Sequence, residues 1–201
     1  MKLYLIRHGQ TAWNAQSRVM GRSETPLDAI GEKQVSQMAK SLKDFTIEKI
    51  FSSPQLRAQQ TAQALAMVKN IPVHRDERLA EIDFPRWQGK TIEEIRDDEV
   101  YRSRRKDILS FLHPEVESYQ SLIDRISAFC MDMEKAGRDI AVVTHADVVK
   151  GFMIHLLQVP SETFFQFKIQ NASCTVLNKE NERWILELMN FSSTPLQGLN
   201  I

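Results

Sequence analysis

The stretch Leu3-Tyr4-Leu5-Ile6-Arg7-His8-Gly9-Gln10-Thr11 decides the reading of this chain. Four apolar residues, too few for a helix, run directly into an arginine, a histidine and a glycine. A short, continuous apolar run suits a strand buried on both faces, at the centre of a parallel sheet. The same reading applies to Lys49-Ile50-Phe51, which runs into Ser52-Ser53-Pro54, and to Ile140-Ala141-Val142-Val143, which runs into Thr144-His145-Ala146. Helical spacing separates these runs. Val35, Met38, Ala39 and Leu42 form one stripe, Leu122, Ile126, Phe129, Cys130 and Met133 a second, and Val149, Phe152, Met153, Leu156 and Leu157 a third. Such stripes face a core. Strands alternating with amphipathic helices predict an α/β fold.

Towards the end of the chain, residues 173–178 and 183–190 read as two strands around the polar turn Lys179-Glu180-Asn181-Glu182, an antiparallel hairpin at one edge of the sheet. The last ten residues carry no period and read as a loosely held tail. Residues 91–119 read as mostly helical, the longest insertion between strands, lying over the open end of the sheet. No repeat, low-complexity tract or linker divides the 201 residues, so one domain spanning 1–201 is expected.

Composition narrows the function. Lysines plus arginines number 26 and aspartates plus glutamates 26, so no net charge draws the chain to nucleic acid or an anionic membrane. The basic cluster Arg102 to Lys106 lies beside Asp97, Asp98 and Glu99 and reads as a solvated helix face or an anion-attracting lid. No apolar run approaches the ~20 residues of a membrane span. Cys130 and Cys174 lie in apolar stretches without metal spacing and read as buried small hydrophobes. With no signal peptide and no disulfide framework, the expected location is the cytoplasm. His74, His113 and His155 have no ligand spacing with one another or with His8, so no metal and no cofactor is expected.

The chemistry gathers where strands end. In open α/β sheets, ligands bind outside the carboxyl ends of strands at the point where strand order reverses. Two apolar strands end in histidines, His8 and His145, which can meet there. After the third, Ser53 reads as an N-cap and Pro54 as a first helical residue, with Arg57 in the first turn of the helix. A cation there opposes the helix dipole, and faces a natural anion site.

Arg7-His8-Gly9-Gln10-Thr11 followed by Asn14 resembles the signature of the histidine phosphatase superfamily, which includes the cofactor-dependent phosphoglycerate mutases. Gly21 with Pro26-Leu27 and Gly31-Glu32-Lys33-Gln34, then Ser52-Ser53-Pro54 with Arg57-Ala58 and Thr61, then Leu79-Ala80-Glu81 with Phe84, Trp87, Gly89 and Thr91, and finally Thr144-His145, resemble its further blocks in order. The resemblance covers residues 3 to about 157. It implies a three-layer α/β/α sandwich of the phosphoglycerate mutase type, with a mainly parallel sheet and an antiparallel edge strand. It also implies a metal-independent phosphatase acting on a small phosphorylated metabolite. His8 would be the nucleophile and Glu81 the general acid and base. Arg7, Arg57 and His145 would hold the phosphoryl oxygens, with Asn14 and Ala146 at the substrate. Monomer and homodimer both stay open.

Some positions depart from the family pattern. Ala146-Asp147 and Lys150 stand where members often carry Gly-Gly and an arginine. Phe84-Pro85-Arg86-Trp87-Gln88-Gly89 replaces Phe-Gly-x-Trp-Glu-Gly. These changes bear on substrate identity rather than on the reaction. Asp147 adds a negative charge near the phosphate site unless it caps the helix after His145, for which it is well placed; Trp87 is placed to wall the pocket and Trp184 to pack on the hairpin. The length and the block from Glu81 to Thr91 look most like the small α-ribazole phosphatase and broad-specificity phosphatase branch. Two other readings remain: a phosphoglycerate mutase, and a phosphoester-binding regulatory module without catalysis.

Overall fold

The structure, a computed structural model, describes residues 1–192. Six strands form one sheet: β1 (Lys2–Arg7), β2 (Lys49–Ser52), β3 (Val73–Arg75), β4 (Ile140–Thr144), β5 (Cys174–Glu180) and β6 (Arg183–Phe191), in the order β3-β2-β4-β1-β5-β6. The first four run parallel, and β5 and β6 add the antiparallel hairpin expected at the edge. The helices are α1 (Ala12–Ala15), α2 (Ala29–Ser41), α3 (Leu56–Lys69), α4 (Ile92–Ile95), α5 (Glu99–Lys106), α6 (Tyr119–Ala136) and α7 (Ala146–Leu157).

Alternation along β1 and β4 splits the core into two layers. Leu3, Leu5, Ile140 and Val142 pack with the stripes of α6 and α7, while Tyr4, Ile6, Ala141 and Val143 pack with α2 and α3. The chain moves outward from β1 to β3 and then back to β4. Right-handed crossovers therefore put the earlier and later helices on opposite faces. The same reversal sets β1 beside β4 in register, with Leu5 opposite Val142 and Arg7 opposite Thr144. His8 and His145 each follow by one residue, and the His8 backbone N–H donates to the Thr144 carbonyl at 3.0 Å.

The loop after β1 lies close against α2. A Cβ at Gly31 would stand 2.0 Å from the Gln10 carbonyl oxygen, and one at Gly9 2.7 Å from Val35. Both glycines are needed for this approach.

Several expectations need correction. α3 starts at Leu56, with Gln55 rather than Ser53 at its cap. The Leu56 N–H instead donates to the Glu24 carboxylate at 3.0 Å. His145, in extended conformation, is the cap residue of α7, so Asp147 falls inside the first turn and its carboxylate pairs with side chains instead. The 91–119 insertion is helical only in α4 and α5. Beyond Lys106, the Asp107 carboxylate accepts from the N–H groups of Leu109 and Ser110, at 3.1 Å each, and turns the chain out of the helix. The tail reading falls on 192–201, of which only residue 192 lies among the described residues. Both cysteines are buried and free, and Trp184 packs at the hairpin while donating to Glu134.

Candidate active site

His8 is 1% exposed, and its two ring nitrogens have different partners. Nδ1 lies 2.7 Å from the Gly9 carbonyl. A carbonyl only accepts, so the proton is on Nδ1 and the lone pair on Nε2. Nε2 accepts from Arg57 Nε at 3.3 Å. Burial, then the charges of Arg57 and Arg7, hold the imidazole well below its usual range and therefore neutral. A neutral ring with an in-plane lone pair aimed away from the backbone is a nucleophile in its reactive form.

Arg57 is fully buried, and its fork is fixed from behind. Nη1 donates to the Ser23 carbonyl at 2.7 Å and Nη2 to the Gly21 carbonyl at 2.8 Å. Burial lowers its pKa to about 10, which leaves it cationic at neutral pH. Arg7 donates through Nη1 to the Ile169 carbonyl at 2.6 Å, while its buried Nε has no partner among the described residues. Asn14 closes a capping box with Thr11, and its Oδ1 also accepts from Asn171 at 3.1 Å. That leaves its amide NH2 group to donate into the site.

His145 lies beside His8 with ring centroids 5.2 Å apart. Its tautomer follows from a chain of buried bonds. The Glu81 backbone N–H donates to Gln55 Oε1 at 3.2 Å, which identifies that atom as the oxygen. Ser53 Oγ must then donate to Gln55 Oε1, at 2.6 Å, and can only accept from His145 Nε2, at 2.7 Å. The His145 proton is therefore on Nε2. Its buried Nδ1 has no partner among the described residues. Burial, then Arg57 and His8, depress its pKa well below the usual range, so the free ring is neutral. With the proton on Nε2, Nδ1 can donate only if the ring gains a second proton.

Substituting Gln55 by leucine tests this chain. With the acceptor gone, the Ser53 hydroxyl is free to donate to His145 Nε2, and the proton moves to Nδ1. Nitrogen NMR of labelled histidine is expected to show the reversed tautomer, with a stability loss of about 1–3 kcal/mol from the unserved Glu81 N–H. An unchanged His145 tautomer would falsify the assignment.

Glu81 sits at the start of a loop held on several sides. The Leu79 carbonyl accepts from Thr144 Oγ1 at 2.7 Å, and the Asp83 N–H donates to Glu117 at 3.0 Å. Glu117 in turn pairs with Arg125 at 2.9 Å. Burial, then the Asp147 charge, raises the Glu81 carboxyl to about 7. It carries a proton near neutral pH and can give it up. A cavity of about 290 Å³ opens between Arg7, Asn14, Gly21 and Glu81 on one side and the 91–119 insertion on the other. His8, Arg57 and His145 lie behind that wall.

The structure brings His8, Arg7, Arg57, His145, Asn14 and Glu81 together at the carboxyl ends of β1 and β4. Ala146 opens α7, with its N–H among the first-turn donors that no helical partner serves. Trp87 walls the cavity as expected, whereas Arg86 turns to Asp98 and Glu115. Sequence reasoning missed Ser53 and Gln55 as partners of His145 and Glu81. A charge near the site for Asp147, and an anion-attracting lid for the cluster that holds Arg104, are each one of two sequence readings, and the structure places both residues on the cavity wall. A serine before a proline reads as a cap, and nothing local marks it as a histidine partner. Among the described residues no group of three or more His, Cys, Asp or Glu could hold a metal ion.

Residues 3–192 match the family described as histidine phosphatase superfamily (branch 1). The chain belongs to the histidine phosphatase superfamily. Among solved structures of this superfamily, a mycobacterial glucosyl-3-phosphoglycerate phosphatase in complex with VO3 superposes with a TM-score of 0.87 at 28% identity, over 95% of this chain and 99% of that one. A phosphoserine phosphatase variant from Entamoeba histolytica in complex with phosphoserine gives 0.87 at 28%, over 97% and 99%. The α-ribazole phosphatase of Shigella flexneri gives 0.85 at 25%, over 95% and 96%. The "Probable phosphoglycerate mutase GpmB" of Escherichia coli O1:K1 / APEC is 29% identical over 92% of this chain and 88% of its own length. The histidine phosphatase fold is thus shared over 95–97% of this chain, with a mostly parallel sheet and an antiparallel edge. No helix of the described residues is long and apolar enough to cross a membrane.

Proposed function

We propose that this chain hydrolyses a small phosphomonoester in two steps through a phosphohistidine on His8. The observation that carries this reading is the His8 ring itself: buried, neutral, with Nε2 bare of protons and flanked by Arg57. Nε2 attacks phosphorus as the bond from phosphorus to the leaving oxygen breaks, and protonated Glu81 gives its proton to that oxygen. Glu81, now a carboxylate, takes a proton from a water molecule whose oxygen attacks the phosphohistidine. The P–N bond breaks, phosphate departs, and Glu81 is again protonated. Arg7, Arg57, Asn14, the Ala146 N–H and His145 hold the three peripheral oxygens. Fixed donors of this kind are the main machinery of phosphoryl transfer. His145 joins them once a proton arriving with the substrate monoanion reaches Nδ1.

Phosphatases among the structural relatives, acting on phosphoserine, α-ribazole phosphate and glucosyl-3-phosphoglycerate by their names, support hydrolysis of a metabolite. The two free, buried cysteines suit the cytoplasm.

The test is phosphate release from p-nitrophenyl phosphate and simple alkyl phosphates in excess chelator. Release is expected to survive the chelator and to exceed any interconversion of 2- and 3-phosphoglycerate. Loss of activity on chelation, or faster interconversion than release, overturns the reading. The second outcome would point to the mutase.

A further inference from the structure

Past Glu81 the cavity changes character. Phe84, Trp87, Tyr101 and Phe165 give it apolar walls, and Arg104, Lys150 and Asp147 stand among them. The charges do not balance. Asp147 Oδ1 accepts from Lys150 Nζ at 2.9 Å, while its Oδ2 is 3.6 Å from Arg104 Nη2. Two cations share one carboxylate, and Lys150 has the better hold on it. Arg104 is only 5% exposed. Its guanidinium lies over the rings of Phe84, Phe165 and Phe164, at 5.0, 5.5 and 5.9 Å. Ring faces attract a cation but accept few of its N–H bonds. Among the described residues the guanidinium has no hydrogen-bond partner. Arg105, over Phe165 at 4.8 Å, adds positive charge to the same wall.

The Arg104 charge has one long ion pair, and its nitrogens are not among the fully buried atoms that lack a partner, so they open on the cavity. An anion arriving there gives the guanidinium the close acceptor that Asp147 does not. The position matters as much as the charge. Glu81 must touch the leaving oxygen, and Glu81 shares this cavity with Asp147 and Arg104. The group attached to that oxygen therefore extends towards Arg104.

We propose that the leaving group of the natural substrate carries a second anionic group, a carboxylate or a further phosphate, seated on Arg104 with Lys150 adjoining. Its carbon skeleton lies against Phe84, Trp87 and Tyr101. This rests on the hydrolase reading for the direction of the leaving group, but the subsite can be tested without turnover. Asp147 has a part in it: by engaging Lys150 it leaves Arg104, with Arg105 beside it, as the cations free to meet an added anion.

The test uses matched pairs that differ in one charge: glycerol 3-phosphate against 3-phosphoglycerate, and phenyl phosphate against 4-carboxyphenyl phosphate. Binding is measured by calorimetry to the His8→Ala protein, which cannot turn over, and kcat/KM with the native chain. In at least one pair the anionic member is expected to bind roughly tenfold or more tighter, as for a hydrogen bond between charged groups. That ratio is expected to fall below threefold in Arg104→Met. A ratio below threefold in both pairs with the unmodified Arg104 overturns the proposal, as does a preference that survives Arg104→Met. If Arg104 is a structural pin for the insertion, its loss lowers both members equally and leaves the ratio. If Arg104→Met does not fold, the native ratios and Lys150→Met decide. Discrimination in binding without phosphate release would retain the subsite and sink the hydrolase.

Discussion

His8→Ala is expected to lower turnover of every phosphomonoester by roughly 10⁵–10⁶, the scale seen when a covalent nucleophile is removed. The neighbouring imidazole, His145, has its ring centroid 5.2 Å from that of His8 and its Nε2 held by Ser53, and the two cysteines are buried. The same experiment reports on the intermediate. Native protein quenched during turnover should carry acid-labile, alkali-stable phosphate, visible by phosphorus NMR as a phosphoramidate, and the variant should carry none. The variant is expected to fold, because the His8 backbone bonds to Thr144 and Ala172 do not involve the ring. A variant retaining more than a hundredth of native activity would show that phosphorus is attacked by something other than His8, and the two-step mechanism would go with it.

Glu81→Gln is expected to cost roughly 10²–10⁴ in kcat on alkyl phosphates, the usual worth of a general acid. The loss should be much smaller with p-nitrophenyl phosphate, whose leaving oxygen needs little protonation. That contrast separates acid catalysis from general disturbance of the site. The pH profile gives a second handle. With the carboxyl raised to about 7, kcat/KM falls as pH rises through about 7 and the acid loses its proton. On the acidic side, activity holds until His8 protonates, well below the ordinary histidine range. Asp147 is one cause of the raised value, so Asp147→Asn should move the alkaline limb to lower pH. An alkaline limb that stays in place in Glu81→Gln would assign the titration to another group.

Much of this was legible before any coordinates. β1 and β4 announce themselves because a strand buried on both faces is apolar along its middle, and β2 shows the same signal only in Ile50 and Phe51. The two histidines stand out because each ends such a strand. Arg57 drew attention as a cation against a helix dipole. What escaped depends on partners distant in sequence. Ser53 and Gln55 are a turn before a helix until β4 sets His145 against them, 92 residues from Ser53. Asp147 has the composition of a cap, but extended His145 takes the cap position and turns the carboxylate to Lys150 and Arg104. Three-residue β3 is too short to show a period. Arg104 sits in a run of basic residues that reads equally as a solvated face or an anion-attracting lid, and only tertiary packing buries it against three rings.

The carbonyls of Gly21 and Ser23 that hold the Arg57 fork belong to a loop open to solvent on its outer side, where Arg22 and Glu24 are exposed. On the proposed mechanism, the aim of the Arg57 fork is therefore inherited from the backbone of a surface segment. Gly21 shows the dependence: it has φ +50°, and a Cβ there would lie 3.2 Å from the Phe84 N–H nitrogen. A side chain there strains the backbone and crowds that nitrogen by a few tenths of an ångström, in the segment that aims the carbonyl at the guanidinium. Tolerance to mutation in this protein does not follow exposure. A variant map ought to show a narrow intolerant band across an outwardly ordinary loop, written into the backbone rather than into any reactive group.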